Sequence, residues 1–220
     1  MPGGSPAYSG GNPMPNSFNI VGTFKHAIDL VKNPVGVMMA YRDSDLPVNS
    51  VMIYYVAVLA AVPFIATLIG DLWYYGIFGY LGILGFGGYG YAVVSAILTY
   101  IGDVVGVFIL GYLISMLAPS FGANTTLPRA IKLAAYVFTP VFLLSVLYII
   151  PFVGFLVIFG VLYGLYILYL GLPVLTNAPK DRVLTFTIVI VVVAVVIYAV
   201  IGAIVGTIAG LIFLHSIGFF

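Results

Sequence analysis

The stretch Arg129–Gly171, RAIKLAAYVFTPVFLLSVLYIIPFVGFLVIFGVLYGLYILYLG, decides what kind of molecule this is. Two basic residues, Arg129 and Lys132, open it, and no charged side chain follows until Lys180. A helix crosses the hydrocarbon core of a bilayer with ~20 apolar residues, so the run is long enough for two spans. Pro151 and Gly154 interrupt it near its middle, where a tight turn is needed. The run therefore reads as a helical hairpin, with spans at about 130–150 and 152–171.

The rest of the chain extends this reading. It has 220 residues, of which 63% are hydrophobic and 6% charged, and its mean hydropathy is +1.24. An ordinary soluble domain is ~25% charged. The apolar runs are continuous, whereas transmembrane β-strands alternate over ~10 residues. The fold class is thus all-α: a polytopic membrane protein with five helices. The first two spans read as 49–70, with Pro63 as an internal kink, and 91–117. A charged loop at 176–182 precedes the fifth, 183–214. That span would be about 48 Å long at 1.5 Å per residue, against a hydrocarbon core of roughly 30 Å. It must tilt, break or project.

Residues 1–18 carry Gly, Pro, Ser and Asn without a charge or an apolar run, and read as a flexible tail rather than a signal peptide. In residues 19–33, Ile20, Val21, Phe24, Ala27, Ile28 and Val31 share one helical face, with Lys25, His26, Asp29 and Lys32 mostly opposite. Pro34 ends the pattern. Such an amphipathic helix lies in the headgroup plane, with Phe24, Lys25 and Lys32 as membrane-surface contacts, or docks on the protein's own surface. Residues 41–47 form a polar linker. Residues 71–90 have glycine at 76, 79, 82, 85 and 88, with Trp73, Tyr74, Tyr75, Phe78, Tyr80, Phe86 and Tyr89 between. Aromatics favour the membrane–water boundary, so this stretch reads as an interfacial or partly re-entrant connector. Its end, Gly85 to Gly90, spells G-x-G-x-x-G, but without a βαβ context the match carries no nucleotide site.

All Lys and Arg residues (Lys25, Lys32, Arg42, Arg129, Lys132, Lys180 and Arg182) fall on one side if there are five spans. The positive-inside rule makes that side cytoplasmic. The expectation is a multi-pass cell-membrane protein with its N-terminus inside and its C-terminus outside.

Several short motifs carry a family resemblance. They are Phe121-Gly122, Leu127-Pro128-Arg129-Ala130, Ala135-Tyr136, Thr139-Pro140, Ile150-Pro151 and Gly154, with Asn33-Pro34 before the first span and the aromatic-rich run Tyr163–Gly171 in the fourth. In order and spacing this set resembles the Yip1 domain family over roughly 30–212, and the compact form is similar to a prokaryotic member. The resemblance implies five spans with a cytoplasmic N-terminus. Eukaryotic members are linked to vesicle traffic and small GTPases. This chain lacks their long N-terminal region, and its Asp71-Leu72-Trp73 run falls on the outer side, so a GTPase partner is not carried over.

The sequence offers little catalytic chemistry. It contains no Cys and no Glu, its two His are far apart, and it has no Ser-His-Asp set, metal-ligand cluster or Walker motif. No cofactor, metal or catalytic residue is expected, and a net charge of +1 argues against nucleic acid. Gly102-x-x-x-Gly106, Gly160-x-x-x-Gly164 and Gly202-x-x-x-Gly206-x-x-x-Gly210 place small residues on helix faces, where helices approach closely in lipid. These faces serve packing within the chain or an oligomer, and the doubled motif is the best candidate for a subunit face. Tyr163, Tyr166 and Tyr169 form an aromatic ladder, read as packing or as the lining of a path. Asp103 lies about 18 Å along its helix from Tyr91, near the bilayer centre, where an ionised Asp costs at least ~2.5–3.5 kcal/mol. Tyr100, Thr139 and Ser145 are its expected hydrogen-bond partners. The leading function is a non-enzymatic scaffold or membrane-organising protein whose partners are lipid and other membrane proteins or further copies of itself. The alternative is a small oligomeric channel or transporter that uses Asp103.

Overall fold

The computed structural model describes residues 14–44, 46–80, 88–150 and 152–216, and among these every regular element is helical. Helix α1, Ile20–Lys32, starts at Asn19, whose side chain accepts a hydrogen bond from the Gly22 amide at 2.8 Å. Asn33 makes the corner that follows. Its backbone N–H donates to the Asp29 carbonyl at 2.9 Å, closing α1. Its side chain accepts from the Gly36 amide at 3.0 Å, capping α2, Pro34–Tyr41. Proline in the first turn of α2 gives up only an amide that has no helical partner.

Helix α1 docks on the bundle with Thr23, His26, Ala27 and Leu30 buried. This stripe is rotated from the apolar face read in the sequence, and it takes His26 from the polar side to the inside. Burial is possible because each polar member has a partner. Thr23 Oγ1 donates to the Tyr54 carbonyl at 2.9 Å, and His26 Nε2 lies 3.2 Å from the Tyr136 hydroxyl. The His26 ring also meets Tyr41 and Tyr55 edge-on, at centroid distances of 5.2 and 5.5 Å. Lys25, Lys32, Ile20, Val21 and Ile28 remain exposed. Phe24 is half-buried and lines an apolar groove with Ile53, Ala57 and Ile65.

Five helices are long and apolar enough to cross a membrane, among the described residues. The first begins with α3, Val48–Ser50, and a π-helical turn, Val51–Val56, and continues as α4, Ala57–Tyr80, through Pro63. Residues 71–80 are therefore not an interfacial connector but the end of this helix. Asp71 ties that end to the start of the second span, accepting from Ser95 Oγ at 2.9 Å. The rest of the expected connector, 81–87, lies outside the described residues, as does the first half of the G-x-G-x-x-G run. Gly88 opens α5, Gly88–Leu117.

The hairpin follows. Helix α6, Leu127–Leu144, passes into a 3₁₀ turn, Ser145–Ile149. A second 3₁₀ turn, Gly154–Val157, leads into α7, Ile158–Leu175. Between them Phe152 takes φ +68°, an uncommon conformation for an aromatic residue. Helix α8, Val183–Ser216, runs 34 residues without a break, about 51 Å at 1.5 Å per residue. Because it does not break, a length beyond the roughly 30 Å hydrocarbon core leaves tilting or projection as the ways to fit it.

Helix α6 is the centre of the bundle. Of the most apolar stretch of the third span, 67% is buried inside the protein, against 6% for the fifth. Glycines let neighbours close on it. A Cβ on Gly160 would lie 2.9 Å from the Pro140 carbonyl oxygen, and one on Gly164 2.5 Å from that of Val137. From α5, a Cβ on Gly111 would lie 2.8 Å from the Ile131 Cα.

The loops carrying basic residues meet at one end. Arg129 pairs with Asp43 at 2.6 Å, and Arg42 donates to Asn177 Oδ1 at 2.6 Å. Asn177 Nδ2 donates to the Asn124 carbonyl at 3.0 Å. Asn177 adopts φ +52° just after α7, a conformation asparagine tolerates. The buried Lys132 ammonium donates to the Tyr41 and Ser44 carbonyls at 2.9 and 3.0 Å.

This clustering gives the expected topology a clean test. Ala178 is buried, whereas Lys180 in the same loop is exposed. In this Cys-free chain, Lys180→Cys should stay unlabelled by an impermeant thiol reagent in intact cells and react after permeabilisation. Labelling in intact cells would place the basic end outside.

Candidate functional site

Asp103 is the intramembrane carboxylate on α5, and it opens on a cavity of about 400 Å³. Four spans enclose this space. Asp103 and Leu110 come from α5, Phe138 and Val141 from α6, Leu165 and Leu168 from α7, and Ile190, Ala194 and Tyr198 from α8. All but Asp103 and Tyr198 of the lining side chains are apolar.

The sequence-derived partners of Asp103 are engaged elsewhere. The Tyr100 hydroxyl donates to the Ala57 carbonyl at 3.3 Å, toward the first span. Thr139 donates to the Ala135 carbonyl at 2.9 Å and meets the Tyr55 hydroxyl at 2.8 Å, deep under α1. Ser145 donates to the Phe142 carbonyl at 2.6 Å. Their helices turn these side chains to other neighbours. Among the described residues, Asp103 has no hydrogen-bond or ion-pair partner. The phenols within its electrostatic reach are Tyr148 and Tyr198. The Tyr198 hydroxyl is itself buried without a partner. It lies over Gly106, where any Cβ would collide with it. Its ring packs on Phe138 at a centroid distance of 5.3 Å.

Sequence reading missed Tyr198, although a signal was there. It is the one polar side chain between Thr187 and Thr207 in a run of Val, Ile, Ala and Gly. It also missed the cluster of His26, Tyr41, Tyr55 and Tyr136, whose members come from four separate stretches of the chain.

The small-residue faces divide into two kinds. Gly102 packs against Ile201 and Gly106 against Tyr198, both on α8. Gly160 and Gly164 pack on α6 carbonyls. Around Gly202, Gly206 and Gly210 nothing described lies within 4 Å of an added Cβ. Of the tyrosine ladder, Tyr163 donates to the Val31 carbonyl at 2.7 Å, while Tyr166 and Tyr169 are exposed.

The Yip1 domain family profile matches residues 28–204, most of the chain. This chain belongs to the Yip1 family. Among relatives of this Yip1-family protein, the inner membrane protein YohC of Escherichia coli K12 is 27% identical over 168 residues, covering 74% of this chain and 84% of that protein. YohC from E. coli O6:H1 strain CFT073 matches with the same identity and coverage. No solved structure matches the chain. The family assignment and the five apolar helices together make this a multi-pass membrane protein.

Two substitutions separate the polar sites of the Yip1 domain. Thr139→Val leaves the buried Tyr55 hydroxyl without its partner and should destabilise the fold by about 1–3 kcal/mol. Asp103→Asn removes no hydrogen bond and should leave the melting temperature in detergent unchanged or higher. A large loss of stability in Asp103→Asn would show that the carboxylate holds the helices together.

Proposed function

We propose that this Yip1-family protein is a non-enzymatic membrane-organising or scaffold protein, acting through intramembrane helix contacts and its basic, cytoplasmic face. The observation that supports this reading is the contrast among its glycine faces. The faces of α5 and α7 are used inside the subunit, whereas Gly202, Gly206 and Gly210 on α8 have no described neighbour. In lipid, helix association rests on close packing at such small residues. Thr207, on the same stretch, donates back to the Ala203 carbonyl at 2.7 Å and so needs no outside partner. We take α8 as the surface presented to a further copy or another membrane protein. The inner-membrane relatives support a cell-membrane location.

A channel or transporter is the second reading, favoured by the unpartnered Asp103 at a cavity between four spans. Solute flux in proteoliposomes that is lost in Asp103→Asn would support it over the scaffold.

For the scaffold, Gly206→Leu should lower the detergent-solubilised mass to a smaller species with little change in melting temperature. Gly164→Leu should instead destabilise the subunit by about 1–3 kcal/mol or more through overpacking against α6. An unchanged mass in Gly206→Leu would remove the α8 face as a subunit contact.

A further inference from the structure

The cavity beside Asp103 has a polarity that selects a ligand. Its apolar end is set by Leu110, Leu168 and Ile190, and its other end by Asp103 and Tyr198. The distance from Ile190 to Tyr198 along α8 is about 12 Å at 1.5 Å per residue. The slot is thus elongated, apolar over most of its length and acidic at one end. Its volume of about 400 Å³ falls within the range of small-molecule sites, ~300–1,000 Å³.

Among the described residues, no cation neutralises the acidic end. No Lys, Arg or His lines the cavity. The cations of the third span are engaged at the basic end: Lys132 donates to oxygens of Tyr41, Arg42 and Ser44, and Arg129 pairs with Asp43. Among the described residues, the one other titratable side chain that lines the cavity with Asp103 is the phenol of Tyr198. Phenol rings present negative faces that attract cations. The Phe138 ring, packed on Tyr198, lines the same slot. A carboxylate, electron-rich rings and an apolar channel together fit one kind of molecule.

We propose that this slot binds a lipophilic cation: a small molecule with an apolar tail and a single quaternary or protonated amine head. The head sits between Asp103 and the rings of Tyr198 and Phe138, and the tail runs toward Leu110 and Ile190. A neutral lipid chain would fill the apolar length but leave Asp103 and the Tyr198 hydroxyl unmatched. The site does not depend on the α8 glycine face. It concerns binding alone, so it stands whether or not a solute crosses the membrane.

The full chain in nanodiscs of zwitterionic lipid is titrated with octyltrimethylammonium, and in parallel with octanol, while its melting temperature is followed. The cation should give a saturable rise that octanol does not. Asp103→Asn should weaken the apparent affinity at least 10-fold. Ala194→Phe, which fills the slot and keeps the carboxylate, should weaken it similarly and provides the test if Asp103→Asn folds poorly. Equal responses in wild type and both variants would overturn the site, as partition into lipid explains them. Equal effects of octanol and the cation would also overturn it, since the slot would then be a neutral acyl-chain groove.

Discussion

The close contact of α7 on α6 is the constraint the bundle is built around. Gly160 and Gly164 lie against the carbonyls of Pro140 and Val137, closer than any side chain allows. In lipid there is little hydrophobic gain from joining two helices, so tight packing must supply the association. Once α7 is seated, α6 is covered on one side. Helix α5 covers another through Gly111, and α1 closes over the cluster of His26, Tyr55 and Tyr136. Among the described spans, the most buried one thus also carries Lys132, Tyr136 and Thr139, on which the docked polar groups converge.

That chemistry is unevenly satisfied, and the unevenness separates structure from function. Thr23, His26, Tyr55, Lys132 and Thr139 are buried and hydrogen-bonded. A buried polar group left unmatched in so apolar a medium is costly, and these groups account for the docking of α1 and of the loop at 42–44. Among the described residues, the buried Arg42 Nε and Tyr198 hydroxyl lack a hydrogen-bond partner, and so does the half-buried Asp103 carboxylate; Tyr198 and Asp103 line the same cavity. Helix α8 closes that cavity on one side while its own far face stays open. A single helix therefore serves both the cavity and the surface proposed for partners.

The hairpin and the five spans were legible because length and apolar content alone decide them. The motifs that carry the family resemblance also fall at real joints: Asn33-Pro34 forms a corner, Phe121-Gly122 ends a 3₁₀ turn with Gly122 at φ +70°, and Tyr136 sits at the centre of the buried cluster. What failed was direction around a helix axis. Depth put Thr139 and Ser145 beside Asp103, but their side chains turn to Tyr55 and Phe142. Polarity put His26 on the polar side of α1, whereas it is buried within hydrogen-bond distance of the Tyr136 hydroxyl. The glycine-rich stretch 71–90 reads as a connector, yet its part 71–80 continues the first span, because in a membrane helix the backbone bonds itself and glycine is tolerated. Equal glycine spacing likewise concealed which faces were already occupied.

The most direct test of this division is oxidative cross-linking in native membranes of two single-cysteine variants of the Cys-free chain, Gly206→Cys and Gly164→Cys. If α8 is the open face, Gly206→Cys forms a disulfide-linked species above the monomer on non-reducing gels, and Gly164→Cys, shielded by α6, does not. A monomer from Gly206→Cys together with a linked species from Gly164→Cys would contradict the assignment of the two faces.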